Sequence, residues 1–315
     1  MAPLKIDTHQ HIFPPPVRKA IERNPALAQG IHPPPWTPST TLAFMAHNSI
    51  NTSILSCPVS LTVICQDNAV ETAALAREVN LYLASLRDQY PTQLGFFASL
   101  PSPADTTRCI EEIRYALDVL KADGVALFTS YSDKYLGHPD FEAVWQELNA
   151  WKAVVFTHPT MEDRNKSITE PFTIPRPLLD WSHETTRMAV HMILTGALRR
   201  YASDCRIILS HGGGTLPFVA GRMADLDTQT RVSGKSAEEF LAEVRLFYFD
   251  LALVGHEMPL GLVLDFAADG HVLYGTDFPF VRDDTVARQW GVVGGEELVA
   301  KTWKTAQMLF PRLKN

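Results

Sequence analysis

Eight short, β-rich apolar runs recur along this chain, each followed by a longer stretch of helical or irregular pattern, and that alternation narrows the fold more than any other feature. The runs fall at residues 4–8, 52–57, 94–99, 124–128, 153–157, 206–210, 246–251 and 271–275. Helical spacing covers 68–89, 105–121, 141–151, 179–201, 237–244 and 259–268. Strands that alternate with helices build a parallel sheet, because parallel neighbours must be joined by a crossover. Eight such units predict an α/β fold, a (β/α)8 TIM barrel, formed as a single domain over 1–315. The two longest irregular stretches, 13–39 and 160–178, are rich in proline. The strand pattern resumes directly after each, so they are expected to be long loops over the C-terminal mouth and not linkers.

A barrel enzyme gathers its chemistry at the C-terminal ends of the strands. Four of the eight runs finish in a strong ligand or acid–base residue. The first leads through Asp7-Thr8 into His9-Gln10-His11, and the fifth ends Thr157-His158-Pro159. The sixth ends Ser210-His211 before three glycines, and the eighth Gly275-Thr276-Asp277-Phe278-Pro279. His9 and His11 stand at i and i+2, which on an extended strand point to one side, so both imidazoles can reach one cation. Each feature alone has an ordinary explanation; His158 before proline can simply end a strand, and Asp277 can cap a helix. Their recurrence at four equivalent ends points to a metal site.

Composition excludes several alternatives. The net charge of −7 and 46% hydrophobic content fit an ordinary soluble protein, with no clustered basic face for nucleic acid or an anionic membrane. No apolar run approaches the ~20 residues of a membrane span. The metal-like motif begins within nine residues, which leaves no room for a signal peptide. Cys57, Cys65, Cys109 and Cys205 lack CxxC spacing and read as reduced packing residues. A cytoplasmic protein with a small-molecule substrate is expected. Gly212-Gly213-Gly214 lacks the spacing of a phosphate loop and is expected to let the backbone turn tightly. Ser210 has no nucleophile elbow around it.

The HxH pair, the strand-five histidine, His211-Gly-Gly-Gly and Gly275-Thr-Asp-Phe-Pro together resemble the amidohydrolase superfamily, specifically its decarboxylase branch that includes aminocarboxymuconate-semialdehyde decarboxylase. Within that branch, Trp36-Thr37-Pro38, the LLDWSHETTR segment at 178–187, Leu194-Thr195-Gly196 and ILSHGGGTLP at 208–217 look most like the fungal 6-methylsalicylate decarboxylases. The resemblance implies His9, His11, His158 and Asp277 as ligands of one divalent metal, and His211 as the catalytic histidine beside it. Three imidazoles and a carboxylate suit zinc foremost and, with added oxygen ligands, manganese; no organic cofactor is implied. Relatives with two metals bridge them through a Lys or Glu at the end of strand four, where this chain has Ala126-Leu127-Phe128-Thr129, so one metal is expected and Phe128 reads as a pocket wall.

The implied reaction is non-oxidative decarboxylation of a salicylate-type aromatic acid, with 6-methylsalicylate, giving 3-methylphenol and carbon dioxide, as the substrate the resemblance implies. Either Asp277 or His211 would supply the proton to the ring carbon. The resemblance also implies that Arg222 reaches the neighbouring subunit's site in a homodimer to bind a substrate carboxylate; otherwise it is a solvated helix arginine. Relatives carry a second arginine soon after the Trp-x-Pro segment, where this chain reads Pro38-Ser39-Thr40-Thr41-Leu42. Thr cannot replace an arginine clamp, which favours a monocarboxylic aromatic acid. Trp36, Phe280 and Phe13 are candidates to line an apolar pocket for the ring. Asp250, ending strand seven, is expected to make a structural hydrogen bond. His183 and His191, eight residues apart in one helix, are not expected to form a second metal site, and His32 reads as a loop residue. Two other readings use the same residues. A hydrolase of this fold would attack an amide or lactone with metal-activated water, and a catalytically dead barrel would only bind a ligand.

Overall fold

A computed structural model describes residues 4–24, 33–160, 168–293 and 295–314. Eight parallel strands form one sheet in chain order: β1 (Ile6–His11), β2 (Thr52–Ser56), β3 (Leu94–Ser99), β4 (Gly124–Phe128), β5 (Val154–His158), β6 (Arg206–Leu209), β7 (Tyr248–Asp250) and β8 (Val272–Leu273). The last strand returns to the first. Thr8 N–H donates to the Tyr274 carbonyl at 2.9 Å, Asp277 N–H to the His9 carbonyl at 2.8 Å, and His11 N–H to the Phe278 carbonyl at 2.7 Å. Those bonds close the (β/α)8 barrel that the alternation predicts. Both faces of each strand are covered, which is why the runs read as continuous apolar segments and not as alternating ones.

The helices follow from local chemistry. Helix α1 (Ala69–Gln89) starts where the Asn68 side chain accepts from Glu71 N–H, and it buries Leu75, Val79 and Leu83 at helical spacing. The stretch expected as one helix over 179–201 is two, α2 (Asp180–Leu194) and a short helix Ala197–Tyr201, because Gly196 turns left-handed at φ 74°. Helix α3 (Leu216–Thr230) follows the glycine turn after β6. A helix α4 (Glu257–Phe266) precedes β8.

Of the two proline-rich stretches, 13–39 is not all loop. Pro15 and Pro16 sit in the first turn of a helix, Pro15–Arg23, where a missing N–H costs nothing. Its residues 25–32, with His32, and residues 161–167 of the second stretch lie outside the described residues. Of the described remainder of the second stretch, Thr160 and Thr173 to Leu178 flank the barrel mouth. No described helix is long and apolar enough to cross a membrane.

Candidate metal centre and active site

Strand β1 extends past the expected 4–8 to include both histidines, all six of its residues being buried. The pleat therefore turns His9 and His11 to one side, and their Nε2 atoms stand 3.0 Å apart. His158 closes β5, with its ring centroid 4.7 Å from that of His11 and 5.4 Å from that of His9. Asp277 follows β8, its Oδ1 lying 3.4 Å from His9 Nε2 and 3.2 Å from His11 Nε2. One ligand atom from each of the four lies within 4.8 Å of the others, and all four residues are buried.

The outer nitrogens decide what these rings present. Asp250 Oδ2 accepts from His9 Nδ1 at 2.9 Å, and the Pro159 carbonyl accepts from His158 Nδ1 at 2.9 Å. The Ser56 hydroxyl gives its hydrogen to the Gln10 carbonyl at 3.2 Å and so accepts from His11 Nδ1 at 2.9 Å. With Nδ1 protonated in each ring, each Nε2 offers a lone pair. Lone pairs that converge on a carboxylate oxygen need positive charge between them. A proton supplies it in the bare cluster: burial opposes charge on His9, but Asp250 and Asp277 outweigh burial and hold its pKa up at about 10. Burial first, then the charge on His9, pushes His11 down to about 4, and burial with the neighbouring imidazoles drives His158 well below the usual range. Burial would raise Asp277, yet the bonds from His11 and His9 hold it well below the ordinary carboxylate value. The donor set suits a single metal ion in place of that proton.

A buried brace, Asp7, holds β1 and β8 in register for this purpose. It accepts from the N–H groups of His9 at 3.0 Å and Thr276 at 3.2 Å, from Gln10 Nε2 at 2.8 Å, and from the Thr276 hydroxyl at 2.6 Å.

His211 leaves β6 in a left-handed conformation, φ 54°, and Asp277 does the same at φ 61°. Both are uncommon for residues with a Cβ and occur where surrounding bonds over-determine the backbone. The ring of His211 lies 4.7 Å from that of His9, and its Nδ1 faces the Ala252 carbonyl at 3.4 Å. A carbonyl only accepts, so Nε2 remains as the atom free to exchange a proton. Burial, then the charge on His9, lowers its pKa and keeps the ring neutral. The glycine run turns as expected. At Gly214, φ 65°, an added Cβ would collide with the Ser182 carbonyl of α2.

A cavity of about 820 Å³ opens over this cluster, with His158, His211 and Asp277 at its polar end. Phe280 and Phe13 both line it, 6.0 Å apart, and Phe280 lies 5.7 Å from His11. Trp36 does not line it: its indole N–H donates to the Thr41 hydroxyl at 2.8 Å, and it borders a smaller cavity that shares only Phe13 with the large one. Phe128 likewise packs on Tyr131, 6.3 Å away, and is not a cavity wall. Arg222 is exposed on α3 and does not line its own chain's cavity. Sequence reasoning assigned no role to Trp181, whose ring lies 5.6 Å from His158 in the cavity wall, or to Arg176, a half-buried cation in the same wall. Their signal was position, since both sit where the second proline-rich stretch meets α2.

A family model described as Amidohydrolase matches residues 6–307. Decarboxylase macB of Penicillium terrestre is 43% identical, over 98% of this chain and 96% of its own. The 6-methylsalicylic acid decarboxylase acuB of Aspergillus aculeatus is 41% identical, over 99% of this chain and 97% of its own. A solved structure described as amidohydrolase II superposes with a TM-score of 0.86 at 30% identity, covering 98% of this chain and 99% of that one. Barrel, cluster and relatives agree along nearly the whole length, and the chain belongs to the amidohydrolase family.

Proposed function

We propose that this chain is a metal-dependent, non-oxidative decarboxylase of a salicylate-type aromatic acid, converting 6-methylsalicylate to 3-methylphenol and carbon dioxide. The observation that carries the reading is the convergence of His9, His11, His158 and Asp277 at the polar end of an aromatic-walled cavity, in a chain whose full-length relatives are named decarboxylases. His9, His11 and His158 through nitrogen, with Asp277 through oxygen, would hold one divalent ion, zinc foremost by its preference for such a set and manganese as the second candidate. When bound, that ion supplies the charge that draws the carboxylate and adjacent phenol oxygen and polarises the ring.

The chain's own groups supply the rest. Phe280 and Phe13 confine the ring, and the apolar walls exclude water from it. Loss of carbon dioxide leaves the electron pair on the ring carbon, which must take one proton. His211 Nε2 and the Asp277 carboxylate stand at the polar end of the cavity, both unprotonated at rest, so one of them would first take the proton of the substrate's phenol hydroxyl and then pass it to that carbon. The exposed apolar rim of the cavity, Leu178, Phe218 and Leu262, with Met258 nearby, supports a homodimer that covers it. Arg222 lies one turn beyond Phe218 on α3, where such a partner would meet it. Four free cysteines fit the reducing cytoplasm.

The test follows loss of acid and gain of phenol by chromatography, using metal-quantified protein with 6-methylsalicylate, with 2,6-dihydroxybenzoate, and with a chelated control. Metal-dependent 3-methylphenol is expected. Phenol from the dihydroxy acid alone would move the substrate, and no phenol from either would overturn the decarboxylase in favour of the hydrolase.

A further inference from the structure

Asp250 is wholly buried at the end of β7, and both its oxygens are engaged. Oδ2 accepts from His9 Nδ1 at 2.9 Å. Oδ1 accepts two backbone N–H groups, from His211 at 3.2 Å and Ala252 at 3.0 Å. One carboxylate thus grips a ring of the cluster and the start of the turn that carries His211. Gly275 makes room for it: a Cβ there would stand 3.0 Å from His9 Cβ and 3.2 Å from Asp250 Oδ1.

We propose that Asp250 is the positioning residue that fixes the tautomer of His9 and, through the same carboxylate, sets His211 against it. The inference rests on the metal-centre reading above. A carboxylate has only acceptors to offer, so His9 must carry a proton on Nδ1 and leave Nε2 to the cluster, where a cation that replaces the cluster proton meets a lone pair. An amide at 250 would be directional. Two backbone N–H groups can be met only by its oxygen, which turns its NH2 toward His9. Nδ1 would then have to accept, and the ring proton would move to Nε2, the atom aimed at the cluster. Asp250→Asn therefore exchanges a donor lone pair for an N–H at the metal position, from a residue that never touches the ion.

The experiment compares wild type and Asp250→Asn, stripped by chelation and titrated with Zn2+ against a chromophoric competitor, with melting curves of the stripped proteins. The variant is expected to melt cooperatively and to bind Zn2+ ~10–100-fold more weakly. Spectra of 15N-labelled histidine in the stripped proteins should show His9 Nδ1 protonated in wild type and bare in the variant, whose His9 keeps a proton on Nε2 alone, while His11 and His158 keep theirs on Nδ1. A merely structural role would lower the melting temperature without moving that proton. Equal Zn2+ affinity in a folded variant, or a His9 proton that stays on Nδ1, would overturn the proposal. Should the variant not fold, the spectrum of zinc-loaded wild type decides, because a His9 proton on Nε2 there overturns it equally. Failure of wild type to bind Zn2+ would overturn the metal reading, and it appears before any variant is compared.

Discussion

At His9, burial and two carboxylates pull in opposite directions, and the carboxylates prevail, so the bare cluster holds a proton up to about pH 10. His11, pushed down to about 4, holds no second proton at neutral pH, and Asp277 is ionised. A cation that binds His9 Nε2 must expel the one proton, so raising the pH favours binding. Between pH 6 and 8, affinity should rise about tenfold per unit, with about one proton released per chain. Calorimetry in buffers of different ionisation enthalpy reads both, and an affinity indifferent to pH would contradict the charge state described for His9. His211 is the complementary case, since it lines the same cavity without belonging to the four-residue cluster. His211→Ala should lower kcat by ~10²–10⁴ while metal content stays at the wild-type value. The cluster residues were legible because each ends a strand run. The place of Trp36 was not legible, because a sequence does not reveal that Thr41 accepts from its indole.

Among the elements, the turn from β6 into α3 carries the tightest constraint. The glycines after His211 are needed for sign of φ and for space, and at Gly214 the obstacle is backbone of α2, which cannot rotate away. Gly214→Ala should destabilise the fold by at least ~1–3 kcal/mol from conformational strain, with a larger fractional loss of activity than of stability, because α2 and His211 are displaced together. Denaturant unfolding beside a turnover assay measures the two. Wild-type stability in that variant would refute the contact. Strand runs were readable to within a few residues, since burial on both faces makes each a continuous apolar segment. The break of the 179–201 helix at Gly196 and the helix Pro15–Arg23 were not, since a glycine in a helical pattern and a proline at its start each admit two readings.

For the whole molecule, the exposed rim and the outward-facing Arg222 make a prediction about subunits. If Arg222 serves a neighbour's site, His211→Ala and Arg222→Ala proteins, each nearly inactive, should recover about a quarter of wild-type sites when mixed and allowed to exchange, because half the dimers then hold one complete site. Absence of recovery in mixtures shown to exchange would place Arg222 outside the site. The barrel as a whole was legible from eight runs in order, whereas the rim was not, because exposure of Phe218 or Met258 depends on which helices come to lie over the mouth. The seam between β1 and β8 has one more consequence. Thr8 bonds to Tyr274 across 266 positions of sequence, and three of the four cluster residues, His9, His11 and Asp277, stand on that seam. While the chain is being synthesised, the first strand waits for the last, so catalytic competence arrives only with the closing of the barrel, and no nascent intermediate can consume substrate early.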